Sequence, residues 1–220
     1  MAQKIILPKY TKGEEIFNMV SHIVGGGLGV VVLVLCVVFS AIKGSLGGVL
    51  SSVVYGVTMI MLYTMSSIYH GLKNEKAKKV FRVLDHCTIY FLIAGTYTPI
   101  AVLGLTKVNV AVAWIVFGIE WGFAALAVTL TAVNLKKFQI FSMICYIVMG
   151  WCIIAFIPTA TEALTQKGFI LMLAGGIFYT IGAIPYGIGK KKKYMHSVFH
   201  LFVLCGSVLQ FLSIIFYLII

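Results

Sequence analysis

Apolar blocks of about twenty residues, separated by short segments that hold nearly all the charge, recur along the whole of this 220-residue chain. A helix that crosses a bilayer needs roughly 20 apolar residues. Seven blocks meet that requirement, over approximately 19–42, 49–70, 83–103, 108–130, 140–157, 169–188 and 196–220. In lipid a chain must satisfy every backbone N–H and C=O internally, and a helix does so within one segment. The predicted fold is therefore an all-α membrane protein, a seven-transmembrane helix bundle forming a single domain over 1–220. The composition, 61% hydrophobic and 10% charged, excludes an ordinary soluble domain. The first apolar run, 16–42, is too long for a signal-peptide core and lacks a small-residue cleavage site, so it reads as an uncleaved span. Two G-x-x-x-G spacings, Gly25/Gly29 and Gly118/Gly122, predict close-packing helix faces.

The net charge of +11 raises nucleic acid as a partner, but the bases sit in short runs between apolar blocks. That pattern suits loops at an anionic leaflet, so the expected partner is membrane lipid and not nucleic acid. The basic residues also alternate in side. Lys4, Lys9 and Lys12 precede the first block; Lys73, Lys76, Lys78, Lys79 and Arg82 follow the second; Lys136 and Lys137 follow the fourth; Lys190, Lys191, Lys192 and Lys193 follow the sixth. The intervening loops hold only Lys43, Lys107 and Lys167. By the positive-inside rule the N-terminus is cytoplasmic and the C-terminus, after seven spans, lies outside in a multi-pass cell-membrane protein. Cys36, Cys87, Cys145, Cys152 and Cys205 form no C-x-x-C pair and read as small core residues.

Against this apolar background the polar residues are few. His70 closes the second span three residues before Lys73, Asp85 lies three after Arg82, and His196 lies three after Lys193 with His200 one turn deeper. At 1.5 Å per residue each sits about 5–10 Å inside its basic marker. Ser66 is one turn from His70 on the same face. Three imidazoles with one open position is the donor pattern of a catalytic zinc site. Asp85 could hold a water there, act as its general base, or ligate directly, and Ser66 could hydrogen-bond that water or a substrate oxygen. Each residue also has a plainer reading. A single histidine near an interface commonly bridges helices, and Asp85 could pair with Arg82 or cap a helix start. The joint match of depth, side and residue type favours the metal reading.

Several stretches together resemble the hemolysin III family, within the wider progestin and adipoQ receptor superfamily. They are Glu14-Glu15-Ile16-Phe17-Asn18-Met19-Val20-Ser21-His22, Ser66-Ser67-Ile68-Tyr69-His70, Asp85-His86, Gly95-Thr96-Tyr97-Thr98-Pro99, Gly176-Ile177-Phe178-Tyr179-Thr180-Ile181-Gly182 and His196-Ser197-Val198-Phe199-His200. The resemblance covers nearly the whole chain. It implies a seven-helix bundle with a cytoplasmic N-terminus and, through the adiponectin-receptor relatives, Zn2+ near the cytoplasmic face. It assigns the ligands to His70, His196 and His200, contact with the metal's water to Asp85, and the nearby serine to Ser66. Ceramidase-like relatives imply hydrolysis of a lipid amide or ester at the inner leaflet. Gln210-Phe211 departs from the family, where many members carry a histidine before the phenylalanine.

Other residues stand apart from that set. Glu15, Asn18 and His22 share a face at the start of the first span, either as a shell or gate around the centre or as a satisfied polar helix start. His86 is turned about 100° from Asp85 and reads as a helix contact. Glu120 lies in the middle of the fourth span beside Trp121, an ionisable group with no partner assigned. Pro99 predicts a bend in the third span. Two rival functions remain in view: a pore-forming cytolysin, as the hemolysin name implies, and a membrane-state sensor in which zinc is structural. Oligomeric state is not legible.

Overall fold

The computed structural model describes residue 5, residues 7–189 and residues 192–220, so Lys4, Lys190 and Lys191 of the basic runs lie outside the described residues. Its longer helices are α1 Lys12–Ile42, α2 Leu46–Gly71, α3 Glu75–Pro99, α4 Val110–Val133, α5 Gln139–Gly150, α6 Ile157–Ile188 and α7 Met195–Ile214. Short polar side chains set the starts of four of them. Thr11 and Glu14 form a reciprocal capping box on α1. Ser45, Asn74 and Asn109 accept from Gly48, Ala77 and Val112 backbone N–H groups at 3.0, 3.0 and 3.1 Å. Gly44, at φ +64°, makes the turn between α1 and α2 in the left-handed region that glycine enters without a Cβ penalty.

Among the described residues six stretches are long and apolar enough to cross a membrane. Five match expected spans. The remaining one is a 50-residue run, Gln139–Ile188. It is interrupted twice, by a 3₁₀ segment at Cys152–Phe156 and by Thr165 at φ 62° and ψ 163°. The loop expected between the blocks at 140–157 and 169–188 is thus largely helical. Pro158 sits in the first turn of α6, where its missing N–H costs nothing. Thr165 breaks the helix, and its hydroxyl accepts from the Gly168 N–H at 3.4 Å, starting the next turn. After Pro99 the chain widens into a π-helical turn at Ile100–Leu105, since proline supplies no N–H to the α-helical ladder.

The two G-x-x-x-G pairs have different environments. A Cβ on Gly25 would meet the Tyr63 ring at 2.3 Å, and one on Gly29 would meet Ile60 at 2.9 Å, so α1 lies directly on α2 there. A Cβ on Gly118 or Gly122 meets nothing within 4 Å. The second pair is not a packing face within this chain, which corrects the expectation: spacing specifies a face, not what covers it.

α1 and α7 run side by side in the same direction. Near the start of α7, Tyr194 donates its N–H to Glu14 and Ser197 donates to Asn18 Oδ1, both at 2.7 Å. At the far end Lys43, just past α1, bonds the Ile220 carbonyl. Between them Ser207 of α7 bonds Tyr63 of α2 and Tyr179 of α6 at 2.7 and 2.8 Å. The hydroxyls of Tyr63 and Tyr179 are satisfied in this way, whereas that of the buried Tyr55 has no partner among the described residues.

Candidate metal centre

Two residues one turn apart on α7, His196 and His200, project from the same helical face and are 7% and 1% exposed. Their Nε2 atoms stand 3.1 Å apart. His70, at the end of α2 and 3% exposed, faces both rings at centroid distances of 5.3 and 5.1 Å. Each of the three offers a ring nitrogen within 4.8 Å of the others, close enough to share one ion. Asp85 is not part of that group. It lines the same cavity, beside Ser66.

On His70 and His200 the nitrogen facing away from the group has a partner. His70 Nδ1 meets Glu15 Oε2 at 2.7 Å. A carboxylate only accepts, so Nδ1 carries the proton and Nε2 presents its lone pair. That Nε2 is buried and, among the described residues, has no hydrogen-bond partner. Leaving such an atom unsatisfied costs about 1–3 kcal/mol. A metal at that point satisfies it, and the carboxylate–imidazole arrangement is the usual support of a metal-binding histidine. His200 Nδ1 lies 3.3 Å from Ser21 Oγ, which again leaves Nε2 toward the group. The three imidazoles thus fit a zinc ion by donor type and spacing, and His70 and His200 by tautomer as well.

The first helix supplies more of this site than its periodicity suggested. Its buried face carries Glu14, Asn18 and His22. Glu15 lies at the flank, where its second oxygen also takes a bond from Lys78 of α3. Glu14, given no role from sequence, closes the Thr11 cap and receives the N–H of Tyr194, a residue in the left-handed region at φ 60°. His22 is stacked on His200, with centroids 3.7 Å apart and planes 19° apart. Neither of its nitrogens has a hydrogen-bond partner among the described residues. Tyr10, also absent from the sequence reading, stacks on His196 at 5.1 Å and 18° and covers the centre from the segment before α1. Burial, reinforced by Tyr69 and Tyr186 nearby, holds its phenol above the ordinary value, so it stays neutral. The signals for Glu14 and Tyr10 were the Thr-x-x-Glu cap and an aromatic one residue before it. His86 faces Tyr186 at 6.3 Å and lines the cavity.

A cavity of about 160 Å³ begins at Tyr10 and the histidines and continues past Tyr179 to Trp151 and Gln210. His196 and Gln210 stand fourteen residues apart on α7, a depth of roughly 21 Å. Apolar and aromatic side chains form most of the walls. Gln210, the departure noted in the sequence, is at the deep end.

The sequence profile described as "Haemolysin-III related" matches residues 10–211. "Hemolysin-3" of Bacillus cereus is 38% identical, over 93% of this chain and 91% of that protein. "Hemolysin-3 homolog" of Bacillus subtilis (strain 168) is 36% identical, over 94% of this chain and 96% of its own length. "Monocyte to macrophage differentiation factor" of Homo sapiens is 22% identical over 73% of this chain and 67% of that protein. No solved structure gives a significant match. The multi-pass apolar bundle and the match to nearly all of its length lead to one assignment: this chain is a membrane protein of the haemolysin-III-related family.

Proposed function

We propose that the chain is a zinc-dependent hydrolase of a lipid amide or ester, working at the inner leaflet of a seven-span bundle. The carrying observation is the trio of buried imidazoles, His70, His196 and His200, with donor atoms within 4.8 Å at the head of a long apolar cavity. Zinc bound by three imidazoles supplies Lewis acidity toward a carbonyl and brings the pKa of water to about 7. Asp85, outside the ligand trio, takes the proton from the attacking water and later returns it to the leaving group. Ser66 orients the Asp85 carboxyl. Glu15 fixes the His70 tautomer, and Tyr10 shields the centre from bulk water. The cavity holds the apolar chain of the substrate and aligns its carbonyl with the histidines.

The seven-span count and the orientation belong to the same proposal. Parallel α1 and α7 call for an odd number of crossings, so the 50-residue run would cross twice, turning near Thr165. The basic segments then fall on the histidine side, which the positive-inside rule makes cytoplasmic.

Metal analysis of purified protein tests the centre: about one zinc per chain in wild type, and none in His196→Ala. Asp85→Asn keeps the zinc and loses at least 100-fold in turnover of lipid amides or esters. Wild-type protein without zinc ends this reading. The names of the Bacillus relatives, Hemolysin-3 and its homolog, support a second one, cytolysis. Dye release from liposomes that persists in His196→Ala would favour it over hydrolysis.

A further inference from the structure

A second ionisable group lies well away from the histidines. Glu120 is near the midpoint of α4, a 24-residue helix, and is 0% exposed. Half that helix is about 18 Å, so the carboxyl sits close to the bilayer centre. The buried stripe of α4 is otherwise small or apolar: Ala113, Val116, Ala124, Ala127 and Thr131. Gly118 and Gly122 face the opposite, open side. Neither Glu120 oxygen has a hydrogen-bond partner among the described residues. Its titratable neighbours are the Cys152 thiol and the Tyr97 phenol. Tyr97 is occupied elsewhere, donating to the Gly150 carbonyl at 3.0 Å and accepting from the Ile153 N–H at 3.1 Å. The stretches packed around it, Cys87–Leu105 and Gln139–Phe156, contain no Lys, Arg or His. An ionised carboxylate at that depth needs a counter-charge, metal or water, and the surroundings offer no basic side chain.

We propose that Glu120 is a proton-binding site inside the membrane, held as a neutral carboxylic acid and open to apolar carboxyl reagents of the carbodiimide class. The Cys152–Phe156 3₁₀ segment, where α-helical bonding lapses, begins at its neighbour Cys152. With dicyclohexylcarbodiimide the acid's O–H adds across one C=N bond. The proton goes to nitrogen and the carboxyl oxygen to the central carbon. Acyl transfer from that oxygen to nitrogen then gives an N-acylurea, with no atom lost. If the Cys152 sulfur takes the acyl group instead, dicyclohexylurea leaves with the thiol proton and a Glu120–Cys152 thioester remains.

Two measurements on full-length protein in liposomes at neutral pH test this. Infrared spectroscopy should show a protonated-carboxyl C=O band in wild type that Glu120→Gln removes. Peptide mapping after dicyclohexylcarbodiimide should find the N-acylurea, or the thioester to Cys152, at Glu120 of wild type, so that assignment survives even if the variant folds poorly. A water-soluble carbodiimide with an added amine should instead modify exposed Glu75. Absence of a band assignable to Glu120 overturns the neutral-acid assignment. A band without any adduct overturns the claimed reactivity, and apolar labelling at Glu15 or Asp85 but not Glu120 overturns the site itself.

Discussion

Glu15 holds two partners at once, the His70 imidazole and the Lys78 ammonium, and so ties the first helix to the second and third at the histidine cluster. Its removal should weaken the centre without deleting a ligand. Glu15→Gln is expected to lower zinc affinity by about 10–100-fold, read by competition with a chromogenic chelator, with the bundle still folded. His70→Ala should abolish binding under the same assay. The three histidines could be proposed from sequence because their spacing from the basic markers and the i, i+4 pair on α7 are local features. The stacking of His22 on His200 was not legible, because it depends on how deep α1 slides along α7. Glu14 and Glu15 are adjacent and chemically alike. Only the tertiary phase of α1 sends one to Tyr194 and the other to His70.

At the scale of helices, glycine spacing had to be separated from glycine packing. Gly25→Ala drives a methyl group into the buried Tyr63 ring and should destabilise by about 1–3 kcal/mol. Gly122→Ala meets open space and should stay within about 0.5 kcal/mol of wild type. Paired thermal melts in one detergent check both, and equal effects would contradict the helix contact described. Helix existence was legible throughout, since twenty apolar residues in lipid have few alternatives to a helix. The stretch 158–168 was not, because Thr, Glu, Gln and Lys suggest a loop by polarity yet remain competent in a helix once Pro158 and Thr165 set its ends.

For the molecule as a whole, the side-by-side run of α1 and α7 puts the start of α1 and the end of α7 at opposite ends of the bundle. A phosphatase that is active only after export should therefore work when fused after Ile220 and stay inactive when fused within Asn74–Lys79. The reverse pattern would invert the orientation, and equal activity would contradict an odd number of crossings. The loop charges and the separate apolar blocks at 140–157 and 169–188 anticipate this result from sequence alone, whereas the helix that continues between those blocks as far as Thr165 was not legible.

The pairing of first helix with last also has a consequence for biogenesis. Glu15 and Ser21 are made well before His196 and His200 leave the ribosome. No nascent fragment that stops short of α7 can assemble the trio, so capture of an ion would wait for that helix. A fragment ending before α7 would reach the membrane with only His70 of the three.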